Sequence, residues 1–276
     1  MSLLLFTLVV LIGSFLAGFL GALTGLGGGV VIVPMLTLAL GVDIKYAIGA
    51  SIVSVIATSS GAAAAYVKEG MTNIRVGMFL EMATASGAIF GVVIASYLPT
   101  HVIFVLFGLI LLFSAVMMFN KKEAFSQKHK ESFLASRLKL NGSYPSAQGV
   151  QKYTVHRVIG GFAMMCVAGT LSGLLGIGSG ALKVIGMDNI MRIPFKVSTT
   201  TSNFMIGVTA AASALILWQR GQINPNIAMP VTVGVVLGAT LGAKILMRTK
   251  TSKLKLIFAI VVTFLALQMI YKGLSS

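Results

Sequence analysis

Residues 17–37 read AGFLGALTGLGGGVVIVPMLT, and the fold turns on four glycines inside it: Gly25, Gly27, Gly28 and Gly29. Up to Leu23 the stretch reads as an apolar membrane-spanning helix. It then runs into the glycines and returns at once to valine, isoleucine and a proline. A glycine inside a helix costs about 1 kcal/mol relative to alanine. Irregular backbone at membrane depth is tolerated only where it is buried in protein or lines a wet cavity. The stretch therefore predicts a broken helix in a protected place, not a simple span.

The rest of the chain supports a membrane setting. Of 276 residues, 57% are hydrophobic and only 10% charged, with a mean hydropathy of +0.96. Soluble domains carry about 25% charged residues. Apolar runs cover 3–23, 47–67, 76–98 and 102–119 in the first half, and 158–175, 197–218, 227–243 and 256–270 in the second. Most approach the roughly 20 residues that cross a bilayer. The first run has no Lys or Arg before it and no clear small-residue cleavage site, so it reads as a retained helix rather than a signal peptide. The single cysteine, Cys166, lies in an apolar run and reads as a small core residue. The formal charge of +15 would suggest nucleic acid in a soluble chain. Here most basic residues lie between apolar runs, so the positive-inside rule accounts for them and no nucleic-acid partner is expected.

The chain is written twice. Shifted by 151 positions it overlays itself without a gap. Gly25, Gly27 and Gly29 fall on Gly176, Gly178 and Gly180, Ser51 on Ser202, Thr58 on Thr209, and Asn73 on Asn224. Gly87 and Gly91 fall on Gly238 and Gly242. Between 17 and 119 there are 24 identities in 103 aligned positions, many at Gly, Ser, Thr and Asn, which chance apolar similarity would not keep in register. The linker at 120–157 holds eight Lys and Arg and reads as cytoplasmic. The loop at 97–101 carries no Lys or Arg, whereas its counterpart begins the cluster Arg248, Lys250, Lys253 and Lys255. Equivalent loops of opposite charge character belong on opposite sides, so the copies read as inverted repeats. This places sixteen of the 21 basic residues inside and both termini outside.

The fold class expected is therefore all-α: a polytopic transmembrane helix bundle of two inverted-topology repeats, with short broken or re-entrant helices at its centre. The first repeat is 1–119, the basic cytoplasmic linker 120–156 and the second repeat 157–276. Segments 30–40 and 181–191 are short, roughly 16 Å at 1.5 Å per residue, so crossing and re-entry both stay open. The linker reads either as a flexible connector or, through Phe125, Phe133, Leu134 and Leu138, as a short helix on the inner surface. His129 and His156 read as surface residues.

Paired breaks in matching places of two inverted repeats point to a transporter's substrate site. Glycines bring bare N–H groups close to a ligand, and a helix N-terminus favours an anion by up to about 2 kcal/mol in a partly buried setting. The candidate substrate-binding residues are Gly25, Gly27, Gly28, Gly29, Ser51 and Ser54 in the first copy. In the second they are Gly176, Gly178, Ser179, Gly180, Lys183, Thr200, Thr201, Ser202 and Asn203. Ser51, Ser54 and Thr58 share a helix face, and Thr201, Ser202, Met205 and Thr209 approximate the same face in the second copy. Against this stands helix packing, the better reading for Gly87, Gly91, Gly238 and Gly242. Lys183 has Ile32 as its counterpart, so a cation breaks the symmetry near the proposed site; it reads as facing a cavity, with snorkelling as the alternative. Glu81 reads either as a proton-coupling carboxylate or as a buried partner for a basic residue.

The doubled module, with GLGGGVVIVPML (25–36) and IKYAIGASI (44–52) in one copy and GIGSGALKVIGM (176–187) and IPFKVSTTTSN (193–203) in the other, resembles the TauE/SafE family of sulfite exporters. The resemblance covers nearly the whole chain outside the linker. It implies an all-helical secondary transporter of the inner membrane acting on sulfite, sulfonates or related organic sulfur anions. The second copy departs from the pattern at Ser179, Lys183 and Ile185. No GxxxxGK[ST] signature is present, so the expected driving force is an ion or substrate gradient. The expected partners are a small anion, membrane lipid and at most a second copy of the chain; no cofactor, metal or catalytic residue is expected. A passive anion channel would use the same breaks and differ in saturation and coupling. A cation transporter would carry more membrane acids than Glu81. An intramembrane enzyme would need convergent acids or histidines.

Overall fold

The computed structural model describes residues 3–24, 28–68, 70–119, 132–146, 149–246 and 251–275. The first half contains α1 (Leu3–Thr24), α2 (Gly29–Pro34), α3 (Ile44–Lys68), α4 (Ile74–Tyr97) and α5 (Thr100–Phe119). The linker contributes α6 (Phe133–Arg137) and an antiparallel hairpin of β1 (Gly142–Ser146) and β2 (Gly149–Tyr153). The second half contains α7 (Val158–Leu175), α8 (Gly180–Ile185), α9 (Phe195–Gln219), α10 (Pro225–Leu246) and α11 (Thr251–Ser275). Among the described residues, four helical stretches are long and apolar enough to cross a membrane: Ile74–Tyr97, Val158–Leu175, Phe195–Gln219 and Pro225–Gly242. Shorter apolar helices accompany them. Gly25 and Gly27 lie outside the described residues, as do Phe125 and His129.

The 151-residue shift maps backbone as well as sequence. It carries α2 onto α8 and α3 onto α9 without an end residue to spare. Each short helix widens into one π turn, Met35–Ala39 in the first copy and Gly186–Ile190 in the second. Pro34 precedes the first turn, but Ile185 stands before the second, so the missing proline N–H is not the cause of the widening. Both turns are closed alike, by Val42 N–H on the Leu36 carbonyl (3.0 Å) and Ile193 N–H on the Met187 carbonyl (2.9 Å). The chain then reverses at a left-handed residue, Gly41 (φ 64°) or its counterpart Arg192 (φ 55°). Polar caps start the next elements. The Asp43 carboxylate accepts from Lys45 N–H (2.8 Å) before α3, and the Asn73 amide oxygen accepts from Val76 N–H (3.0 Å) before α4.

Packing exchanges partners between the halves. α1 lies against α10 and α7 against α4; α3 against α9; α5 against α11. Glycines set the close approaches, as the packing reading expects. A Cβ on Gly87 would collide with the Cys166 carbonyl, and one on Gly238 with the Phe15 carbonyl, the same clash carried through the shift. The core follows: Val33, Leu36, Ile44 and Ala47 are buried with Leu175, Val231 and Val235. Leu5, Leu8, Ile12 and Leu16 on α1, and Leu109, Phe113 and Val116 on α5, are exposed large apolar side chains at helical spacing, a surface suited to lipid.

The described part of the linker, from 132 onward, folds onto the bundle. Ala135, Leu140, Tyr144 and Val155 are buried in a second cluster with Val76, Leu80, Met191 and Val197. The surface-helix alternative is met only in the five residues of α6, on which Phe133 is exposed. Asn73 pins the assembly: its amide donates to the Leu140 carbonyl (2.9 Å) and the Tyr153 hydroxyl (2.7 Å). Burial pushes the Tyr153 phenol up from its ordinary range. The hairpin is the departure from an all-helical chain among the described residues.

Candidate substrate site

The second break has a tightly specified backbone. Gly176 and Gly178 both sit at φ 70°, and Ser179, where the first copy has Gly28, is also left-handed at φ 44°. Gly28 is right-handed at φ −67°. The left-handed region penalises side chains, so glycine is the natural choice at 176 and 178, whereas Ser179 holds it at a cost of about 1 kcal/mol. Gly176 ends α7, its N–H donating to the Ser172 carbonyl at 2.8 Å. The Ser179 hydroxyl is buried and has no hydrogen-bond partner among the described residues.

The two breaks meet. The Ser51 hydroxyl on α3 donates to the Gly176 carbonyl at 2.8 Å. A Cβ on Gly29 would lie 2.7 Å from that hydroxyl and 3.2 Å from the same carbonyl. On the far side, the Ser202 hydroxyl on α9 donates to the Gly180 carbonyl at 3.2 Å. Among the described residues around the breaks, 172–180 and 28–30 are buried. Neither of the two described cavities reaches the breaks. One, of about 300 Å³, lies by the hairpin among Asn73, Arg75, Asn141 and Tyr153; the other, of about 500 Å³, is an apolar recess around Val53, Ala214 and Trp218.

Not every expected residue gathers here. The Ser54 hydroxyl is spent on its own helix, on the Ser51 carbonyl at 2.7 Å. Thr200 donates to the Met71 carbonyl (2.8 Å) and Thr201 accepts from Asn73 N–H (3.1 Å), so both tie the start of α9 to the turn before α4. Asn203 is half-buried on α9.

Lys183 does not snorkel. It is fully buried on α8, and its ammonium donates to the Thr209 hydroxyl at 2.6 Å. That hydroxyl in turn donates to Glu81 Oε1 at 2.6 Å. Glu81, 6% exposed on α4, is therefore the acid opposite Lys183, with a threonine between them. Glu81 Oε2 is buried and has no hydrogen-bond partner among the described residues. The partnership joins α4 of the first half to α8 and α9 of the second. Sequence reasoning had placed Thr209 on the right helix face but gave it no role. The available signal was asymmetry: Lys183 and Glu81 replace Ile32 and Thr232 of the other copy. Among the described residues no group of three or more His, Cys, Asp or Glu could hold a metal ion.

Comparison with known proteins agrees with this architecture over nearly its whole length. The family model described as sulfite exporter TauE/SafE matches residues 10–269. "Probable membrane transporter protein YunE" of Bacillus subtilis is 29% identical across 98% of this chain and 99% of its own. A "Probable membrane transporter protein" of Xylella fastidiosa is 26% identical, over 98% and 97% of the two chains. MJ0441 of Methanocaldococcus jannaschii, described in the same words, is 23% identical over 97% and 96%. No solved structure matches. The chain is an integral membrane transporter, and it belongs to the sulfite exporter TauE/SafE family.

Proposed function

We propose that this transporter exports a small sulfur-containing oxyanion, sulfite or an organosulfonate, by alternating access across a bacterial inner membrane. The observation that carries this reading is the meeting of the two breaks at Gly29, Ser51 and Gly176, with the buried cation of Lys183 on the helix that follows the second. Glycine N–H groups, serine hydroxyls and one fixed positive charge suit an oxyanion. Sulfur enters through the family's description alone. The repeats, 1–119 and 157–276, are inverted and expose the site to each side in turn. The linker at 120–156 is cytoplasmic and both termini face out, as the basic residues require. Glu81 couples transport to a proton gradient.

The test uses purified protein in liposomes and radiolabelled sulfite, with and without an imposed pH gradient. Saturable uptake that responds to the gradient and falls about tenfold or more in Lys183→Ala, through loss of a buried charged donor, is expected. Folded protein that moves no sulfite removes the substrate. Movement that neither saturates nor responds to the gradient makes the protein a channel.

A further inference from the structure

Three polar side chains occupy one buried line at the seam between the halves. The Lys183 ammonium donates to Thr209 Oγ1, and the Thr209 hydroxyl donates to Glu81 Oε1, each at 2.6 Å. Direct contact between opposite charges gives a larger attraction than one held apart by a hydroxyl. A hydroxyl that accepts from one group while donating to another can switch both bonds together. We infer that Lys183, Thr209 and Glu81 form a proton-coupling relay: an oxyanion arriving at Lys183 is matched by a proton arriving at Glu81.

This rests on the sulfur-oxyanion, proton-coupled reading and adds its stoichiometry and the side chains that link the two. The buried pair is neutral as it stands, one ammonium with one carboxylate. A monoanion beside Lys183 leaves two negative charges against one positive in a low-dielectric site, a costly excess. One proton, taken from a hydronium ion in the vestibule open at that moment, restores the balance. It forms one O–H bond on a Glu81 oxygen, Oε2 being the one without a hydrogen-bond partner among the described residues. Oε1 then holds Thr209 less strongly, and Thr209 can turn its hydroxyl to the Met205 carbonyl, which lies 2.9 Å away. With Glu81 neutral, the Lys183 ammonium is left with the anion as its counter-charge. On the other side the anion leaves, the O–H bond breaks to water, and the line re-forms. Anion and proton move in the same direction, so export runs on accumulated anion and is opposed by an acidic exterior.

Few other charges bear on Glu81. Of the elements packed on α4, α7 offers only Cys166, which is exposed and not the core residue its apolar run suggests, and α9 offers Lys196, exposed in its first turn. Arg75 is exposed at the start of α4 itself, and on the π turn after α8 Asp188 is half-buried. Lys183 is the buried charge that Glu81 meets.

The experiment follows radiolabelled sulfite and lumenal pH together in liposomes holding wild type, Glu81→Gln, Thr209→Val or Thr209→Ser, with protein-free liposomes as the blank. Wild type is expected to carry about one proton with each monoanion. Glu81→Gln keeps a reduced sulfite exchange at equal pH on the two sides, and its proton-to-sulfite ratio falls to the blank. Thr209→Val lowers coupled uptake about tenfold, the loss of one charged hydrogen bond, while Thr209→Ser stays within about threefold of wild type. Glu81→Gln carrying protons at the wild-type ratio overturns the relay. So does Thr209→Val matching Thr209→Ser, a contrast that decides the matter even where Glu81→Gln does not fold. Wild type moving sulfite without protons overturns the relay and leaves the substrate standing; wild type moving no sulfite overturns the substrate and the relay with it.

Discussion

The two broken helices, α2 and α8, carry unlike chemistry on backbones that differ at the preceding residue, Gly28 or Ser179, and match from there on. They have matching ends, matching π turns and matching left-handed reversals at Gly41 and Arg192. Yet Ile32 in one is Lys183 in the other, both fully buried. The neighbours differ to suit. Where Thr209 bridges Lys183 to Glu81, its counterpart Thr58 spends its hydroxyl on the carbonyls of Ser54 (3.1 Å) and Val55 (3.2 Å) in its own helix. Glu81 itself is matched by Thr232. The duplicated backbone is retained in both halves, whereas the buried charged pair occurs once among the described residues, Glu81 in one half and Lys183 in the other. Two copies of the Lys183–Thr209–Glu81 line would bury two ammonium–carboxylate pairs, at twice the desolvation cost.

The largest expected effect breaks the comparison at its unlike position. Lys183→Met leaves Glu81 charged and buried without its counter-charge, which costs about 3–5 kcal/mol. Ile32→Met, at the matching site, is a volume-conserving apolar change and costs less than about 1.5 kcal/mol. Reversible unfolding in mixed detergent measures both. Adding Glu81→Gln to Lys183→Met should recover most of the loss, since a neutral amide needs no counter-charge. Equal losses at 32 and 183, or no recovery in the double variant, would mean the line contributes nothing to holding the halves together.

The next prediction sharpens the likeness instead. Gly87→Ala drives a methyl into the Cys166 carbonyl on α7, and Gly238→Ala drives one into the Phe15 carbonyl on α1. Backbone cannot step aside as a side chain can, so each costs about 2 kcal/mol, within the usual range for overpacking. The symmetric scaffold requires the two losses to agree within about 0.5 kcal/mol. A large loss at one and none at the other would show that the seams α4–α7 and α1–α10 are not equivalent in solution.

What the sequence revealed divides along the same line. The breaks, the short helices at 29–39 and 180–190 and the glycine seams are backbone properties, and glycine is the residue that records backbone demands directly. Twenty-four identities in a fixed register made the duplication plain. The relay was not legible. Its members are 128 and 26 residues apart along the chain, and nothing local in RVGMFLEMATASG names Lys183 as the partner of Glu81. Only the three-dimensional swap of α4 against α9 brings them together. The hairpin was missed for a different reason: GSYPS and GVQKY are short, polar and broken by Gly, Ser and Pro, a composition that reads as loop. Tyr144, buried in the middle of β1, and Val155, buried just after β2, were the available hint.

The smallest effect tests whether the two breaks hold each other. Ser51 and Ser54 lie one turn apart on α3, both fully buried, and both donate to a carbonyl. Ser51 reaches across to Gly176 in the other half; Ser54 reaches only to the Ser51 carbonyl within its own helix. Removing the first leaves the carbonyl of a left-handed residue short of a donor at membrane depth, a loss of about 1 kcal/mol. Removing the second leaves a carbonyl that sits within the ladder of α3. Ser51→Ala should therefore destabilise the protein by about 1 kcal/mol, while Ser54→Ala stays within about 0.5 kcal/mol of wild type. The same pair separates stability from transport. If the contact at Gly176 is one that alternating access must break, Ser51→Ala weakens the closed state and speeds sulfite exchange, and Ser54→Ala leaves its rate alone. Ser51→Ala that slows exchange would assign the hydroxyl to the substrate rather than to the latch between the breaks.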